Sequence, residues 1–189
     1  MKQLKPEYFF DLSVFAHKDL FQLDSYVWES LNHLSEYIRS LPLGFIATEV
    51  PQGAFIIDPE WVSVGEGTII EPGAYIKGPC FLGKNCVVRH GAYIRGNILA
   101  GDNCVIGHDS ELKNTVMLNN SHAAHFAYLG DSILGNKVNL GAGTKCANLK
   151  LDGKPISINF EGQRIETGLR KLGAILGDGT QIGCNAVTN

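Results

Sequence analysis

Residues 64–117 read VGEGTIIEPGAYIKGPCFLGKNCVVRHGAYIRGNILAGDNCVIGHDSELKNTVM, and the stretch falls into successive sixes. Every sixth residue from Val64 is aliphatic: Ile70, Ile76, Leu82, Val88, Ile94, Ala100, Ile106, Leu112 and, one step beyond the quoted stretch, Leu118. Two residues before these positions stand small side chains, Thr68, Ala74, Cys80, Cys86, Ala92, Cys104 and Ser110, with Ile98 and Val116 as exceptions. A period of six is neither the 3.6 of an α-helix nor the alternation of a single strand. It suits a parallel β-helix, in which short strands and turns wind so that each repeat stacks about 4.8 Å above another.

The pattern resembles the hexapeptide repeat of the left-handed β-helix family. That resemblance implies a left-handed coil of three hexapeptides, and with it an all-β fold preceded by a short helical segment. At 18 residues per coil, Lys77, Arg95 and Lys113 stand in one column. Like charges stacked so closely repel. Two readings stay open: a basic ladder splayed into water, or a site where an anion such as a phosphate relieves the repulsion. His90 and His108 are also 18 apart, as turn residues or as part of a metal pair that lacks a third assigned ligand.

The repeat has boundaries. Residues 1–50 do not share it; there "DSYVWESLNHLSEYIRSL" offers Asp24 as a helix N-cap and Val27, Leu31, Leu34, Ile38 and Leu41 on one helical face. This segment is expected to pack against the β-helix end or a neighbouring subunit, and residues 51–189 to form the β-helix domain. The aliphatic positions then run 118, 129, 134 and 140, so the spacing slips across "SHAAHFAYLGD", residues 121–131, where a functional site is most readily grafted onto a repeat. Residues 148–170 break the repeat again and read as a protruding hairpin loop turning at Asp152-Gly153, after which period six returns at Leu176, Ile182 and Thr188.

Composition narrows the function. The 189 residues are 44% apolar and 19% charged, enough for a core and one domain with an appendage. A net charge of −3 gives no global pull towards nucleic acid or anionic membranes. No run approaches the roughly 18 apolar residues of a membrane span, and "MKQLKPEYFFDLS" lacks the order of a signal peptide, so the cytoplasm is the expected compartment. Five cysteines without a CxxC pair point to neither a disulfide framework nor a zinc knuckle.

"AHFAYLGD", followed by "VNLGAGTKCANLKLDGK" and "RKLGAILGDGTQIG", resembles the acetyltransferase domain of the bifunctional glucosamine-1-phosphate acetyltransferase/N-acetylglucosamine-1-phosphate uridyltransferase family, and more closely the C-terminal part of archaeal sugar-1-phosphate nucleotidylyltransferase-like proteins. The resemblance covers roughly residues 62–189. It implies acetyl-CoA as cosubstrate, an amino-sugar 1-phosphate as acceptor, no metal for acetyl transfer, and a homotrimer with shared active sites into which the 148–170 loop reaches. His125 then matches the general base, while His122 falls outside the motif. Arg95 and Lys113 match the residues that hold the sugar phosphate, with Tyr128 and Lys171 as further contacts and Asn139 as a substrate-binding asparagine. Asn148 matches the family's asparagine near the acceptor amine and coenzyme, and the Ala142 N–H matches its candidate oxyanion donor. Cys184 stands where the bacterial enzymes have a serine that contacts the coenzyme.

That chemistry is coherent. A neutral amine is the nucleophile, an imidazole is suited to accept its proton near neutral pH, and a fixed backbone N–H stabilises the oxyanion by about 3 kcal/mol. A phosphate clamp away from the reacting amine fixes orientation. No glycine-rich nucleotide loop precedes the helices, so nucleotidyl transfer is not expected. Family members continue with further coils that help bind acetyl-CoA, so the resemblance leaves a coenzyme site either completed after Asn189 or abbreviated. The alternative is a non-catalytic trimeric β-helix that binds a sugar phosphate or a protein partner through the basic column.

Overall fold

The computed structural model describes residues 2–189. From Phe55 onward the chain winds as a parallel β-solenoid whose strands stack into sheets of six, six and seven. The first sheet runs from Val62–Val64 to Ile175–Leu176, the second from Ile69–Ile70 to Gln181–Ile182, and the third from Phe55–Ile57 to Val187–Thr188. A first turn leads from the first sheet to the second, a second turn to the third sheet, and a third turn back to the first. Sequence and fold connect through one column per sheet: Ile76, Ile94, Leu112 and Leu129 stack in register with no exposed surface. Burying each contributes about 1.5–3 kcal/mol. Asn85, Asn97, Asn103 and Asn114 hold the turns at φ between 48 and 58, a region asparagine tolerates better than most residues.

The coil shortens partway along. Through Leu112 the inward positions step by six, but Met117, not Leu118, pairs with Ala100 below and Leu134 above. Met117 lies in the solenoid core, and Leu118 points out into a second cluster against the helical segment. The expected tenth rung at Leu118 is therefore one residue out. The cause is a third turn one residue shorter, and it also explains Val116: the small buried residue two before the rung is Thr115. A second short step, from Leu129 to Leu134, follows at the same corner. Between them Ala123 faces inward, so the first short step precedes "SHAAHFAYLGD" and the second begins within it, at Leu129–Asp131. Val105 pairs with His122 and His122 with Asn139, a coil of 17 residues. Leu176, Ile182 and Thr188 pair in register with Leu134, Leu140 and Cys146.

The helical segment differs from expectation in two respects. Asp24 does not cap the helix: a 3-10 turn, Val27–Glu29, leads directly into the Ser30–Ser40 helix, and Glu29 occupies the cap in helical geometry without a side-chain hydrogen bond. The apolar face is Val27, Leu31, Leu34 and Ile38, all buried, with Leu41 partly so. That face packs on the flank of the solenoid, against Leu99, Val116 and Ile133 of the first sheet and Leu118 just beyond it, rather than on its end. Polar bonds fix the seam: the Asn119 side chain donates to the Val14 carbonyl at 2.7 Å, and Asp178 accepts from the Asp11 amide at 2.8 Å.

The inserted loop contains an antiparallel hairpin, Ser157–Phe160 with Gln163–Glu166. It reverses at Glu161-Gly162, both at positive φ, while Asp152-Gly153 forms an earlier turn closed by the Gly153 amide on the Lys150 carbonyl. Ile156, Ile158, Phe160 and Ile165 pack onto the cluster of the helical segment. The insertion leaves the solenoid at the third turn, between Cys146 and Ile175.

Candidate active site

Two polar groups border the outer face of the third sheet. One occupies the third turn. There the register Ile76↔Ile94↔Leu112 places Lys77, Arg95 and Lys113 one residue further on, in a single column. The repulsion within it is offset by the protein's own carboxylates: Arg95 donates to Glu111 at 2.7 Å, and Lys113 to both oxygens of Asp131 at 3.2 Å. The two pairs differ. Arg95 and Glu111 have side chains 42% and 36% exposed, so solvent screens that pair and an incoming anion can displace it; the hydrogen bond from Arg95 to Glu111 raises the guanidinium pKa. Asp131 is only 7% exposed and also accepts from Asn114 at 2.9 Å and Asn148 at 2.6 Å.

The next residue in the column above Lys113 is Gly130. A Cβ there would lie 2.3 Å from Asn148 Nδ2 and 2.7 Å from the Tyr128 hydroxyl, so the missing side chain makes the notch in which these groups meet. Lys171 is exposed beside them, because the Leu172 amide bonds to the Asn148 carbonyl at 3.0 Å. The fold thus brings Arg95, Lys113, Tyr128, Asn148 and Lys171 to one corner. A cleft of about 830 Å³ opens from Asn148 between the hairpin and the solenoid, lined by Leu149, Leu151, Ile156 and Leu172.

The other group occupies the second turn. His90, His108 and His125 follow one another up this corner, with Ala142 and then Cys184 in the coils above. The His90 and His108 rings stack at 5.8 Å, and their Nδ1 atoms face the Pro72 and His90 carbonyls at 2.7 and 3.1 Å, which are acceptors, so each Nδ1 donates. His125 is exposed. The Ala142 amide donates no hydrogen bond among the described residues, whereas its neighbour Gly143 donates to the His125 carbonyl at 3.0 Å. Cys184 is exposed, unlike Cys80 and Cys146, whose thiols burial pushes up in pKa.

Asn139 is not with either group. It faces outward from the second sheet, paired with His122 and Gln181. Sequence reading missed Asp131, Glu111 and Gly130. Asp131 had a signal, since it lies 18 residues after Lys113 and closes the quoted "AYLGD". Among the described residues no helix is long and apolar enough to cross a membrane.

A parallel solenoid of hexapeptide repeats with polar side chains gathered at its turns defines the class: a hexapeptide-repeat β-helix domain. Residues 76–189 match the family described as GMPPB C-terminal domain, and the chain belongs to that family. It is 44% identical over 71 residues to a bifunctional sugar-1-phosphate nucleotidylyltransferase/acetyltransferase of Sulfurisphaera tokodaii, covering 38% of this chain and 18% of that protein. It is 41% identical over 69 residues to the bifunctional protein GlmU of Methanocaldococcus jannaschii, 36% of this chain and 17% of that one. The chain therefore spans less than a fifth of these relatives. A solved Arabidopsis UDP-N-acetylglucosamine acyltransferase aligns at 14% identity and a TM-score of 0.31, over 53% of this chain and 56% of that one, a likeness too slight to build on.

Proposed function

We propose that the chain transfers the acetyl group of acetyl-CoA to the amino group of an amino-sugar 1-phosphate, glucosamine-1-phosphate first, in the cytoplasm. The observation that carries this reading is the convergence of Arg95, Lys113, Tyr128 and Asn148 around the Gly130 notch. A sugar phosphate there meets Arg95 once Glu111 yields, and the Lys113 ammonium donors not used by Asp131. The amine nitrogen attacks the thioester carbonyl carbon while His125 takes its proton. The oxyanion faces the Ala142 N–H, and the C–S bond then breaks to release the coenzyme thiol, protonated by His125. The cleft beside Asn148 offers apolar surface for the coenzyme's arm, with Cys184 as a further coenzyme contact.

Because Asn139 faces out from a different sheet, its assignment requires a neighbouring copy, and a homotrimer with sites between subunits accommodates it. The non-catalytic alternative, a trimeric β-helix that binds a sugar phosphate or a protein partner, uses the same Arg95 and Lys113 column and meets the same carboxylates. Turnover separates the two. His125→Ala is expected to lower turnover by about 10²–10⁴-fold without weakening sugar-phosphate binding; unchanged turnover removes His125 as base, and binding without any acetyl transfer in the unaltered chain supports the binding module.

A further inference from the structure

We infer that Asp131 is the positioning residue that couples the phosphate-holding and amine-facing halves of this site, an inference that rests on the acetyl-transfer reading. Its carboxylate has four side-chain hydrogen bonds. Oδ1 takes Lys113 Nζ at 3.2 Å and Asn114 Nδ2 at 2.9 Å, and Oδ2 takes Lys113 Nζ at 3.2 Å and Asn148 Nδ2 at 2.6 Å. The backbone is held as firmly. The Asp131 amide donates to the Lys113 carbonyl at 2.9 Å, and its carbonyl accepts from Gly173 at 2.8 Å, tying the return from the inserted loop to the same residue. Asp131 sits at φ 51, in the shortened third turn.

Two chemical consequences follow. Lys113 is steered by a carboxylate behind it while 31% of its side chain remains exposed, so an ammonium donor stays directed at an external phosphate oxygen. Asn148 spends an amide N–H on Asp131, which fixes its amide orientation and leaves Oδ1 as an outward acceptor. An acceptor there suits the N–H of an amine that must present its lone pair elsewhere. Asp131 reaches neither ligand itself. One buried carboxylate thereby sets the spacing between the group that holds the phosphate and the group that orients the amine.

The test pairs Asp131→Asn with Asn114→Gly. The first removes the charge and presents an NH₂ to donors; the second keeps the left-handed turn and removes one bond to Oδ1 without touching Lys113 or Asn148. Thermal melts establish that both are folded. Kinetics with acetyl-CoA and glucosamine-1-phosphate are read alongside the Asn148 side-chain amide resonances and a binding titration with glucosamine-1-phosphate. Asp131→Asn is expected to raise KM and lower kcat together, about 100-fold in kcat/KM, and to shift and broaden the Asn148 amide, while Asn114→Gly stays within about twofold. If the unaltered chain binds the sugar phosphate without turning it over, the acetyl-transfer reading fails, and the coupling is then supported by weakened binding together with a released Asn148 amide in Asp131→Asn. A folded Asp131→Asn with unchanged binding, kinetics and Asn148 resonances overturns the inference, as does an equal loss in Asn114→Gly.

Discussion

The first and third turns of the solenoid are built from the same repeat and do opposite things. At the first turn the step stays at six residues, and polar side chains form a continuous ladder: Asp102 accepts from the Lys84 amide at 2.7 Å and Asn119 from the Asp102 amide at 2.9 Å. That ladder is then tied to the helical segment through Asn119 and Asp178. At the third turn the step drops to five twice, and the hairpin is inserted one coil later. Every departure from period six between Val64 and Thr188 falls on that corner, and so does the Lys113–Asp131–Asn148 network. The regular first corner serves as scaffold; the corner that loses and gains residues holds the Lys113–Asp131–Asn148 network.

If that division holds, damage to the two regions should separate stability from activity. Leu34 is fully buried between helix and first sheet, so Leu34→Ala should cost about 2–5 kcal/mol in denaturant unfolding while leaving KM unchanged below the transition. Gly130→Ala should do the reverse. Its Cβ would collide with Asn148 and the Tyr128 hydroxyl, and a loss of about 100-fold in kcat/KM, or about 2.7 kcal/mol, is expected with a much smaller change in melting temperature. Asn119→Ala removes the bond to Val14 and the rung to Asp102; about 1 kcal/mol of stability should go, again without a kinetic effect.

The scaffold side also carries a pH dependence. His17 is buried against Phe81 at 4.6 Å and Phe15 at 5.6 Å, with Nδ1 3.3 Å from the Tyr37 hydroxyl. Desolvation lowers its pKa, against a weaker opposing pull from Asp102. The unfolded chain therefore takes up the proton first as pH falls, so stability present above about pH 6.5 declines below it, by at most about 1.4 kcal/mol per pH unit. His17→Phe should flatten that slope in melts between pH 7 and pH 5.

Much of the scaffold was legible because its period is enforced by packing: an inward position tolerates only an apolar or small side chain, so Val64 through Leu112 announce themselves. The one-residue slip at Met117 was harder to see. Met117 and Leu118 are both apolar, one facing the core and the other the helical segment, and only the bulky Val116 two places before Leu118 marked the wrong choice. The hairpin turn was misplaced for a related reason. Asp152-Gly153 and Glu161-Gly162 both fit a tight turn, and what decides is the pairing of Ser157–Phe160 with Gln163–Glu166, which no dipeptide reports. Asp24 lost the cap because a 3-10 turn feeds the helix without a break. At the candidate site the cationic column shows as an 18-residue spacing, but Glu111, 16 residues after Arg95, does not share it. Reading the same spacing from Lys113 to Asp131 finds the other carboxylate partner.

The most direct measurement mixes the chain with acetyl-CoA and glucosamine-1-phosphate and records free coenzyme thiol together with the N-acetylated sugar phosphate. Equal amounts of both, formed catalytically and lost in His125→Ala, are the expected result. Glucosamine-1-phosphate bound at the third turn, with neither thiol nor acetylated product above background, would contradict it.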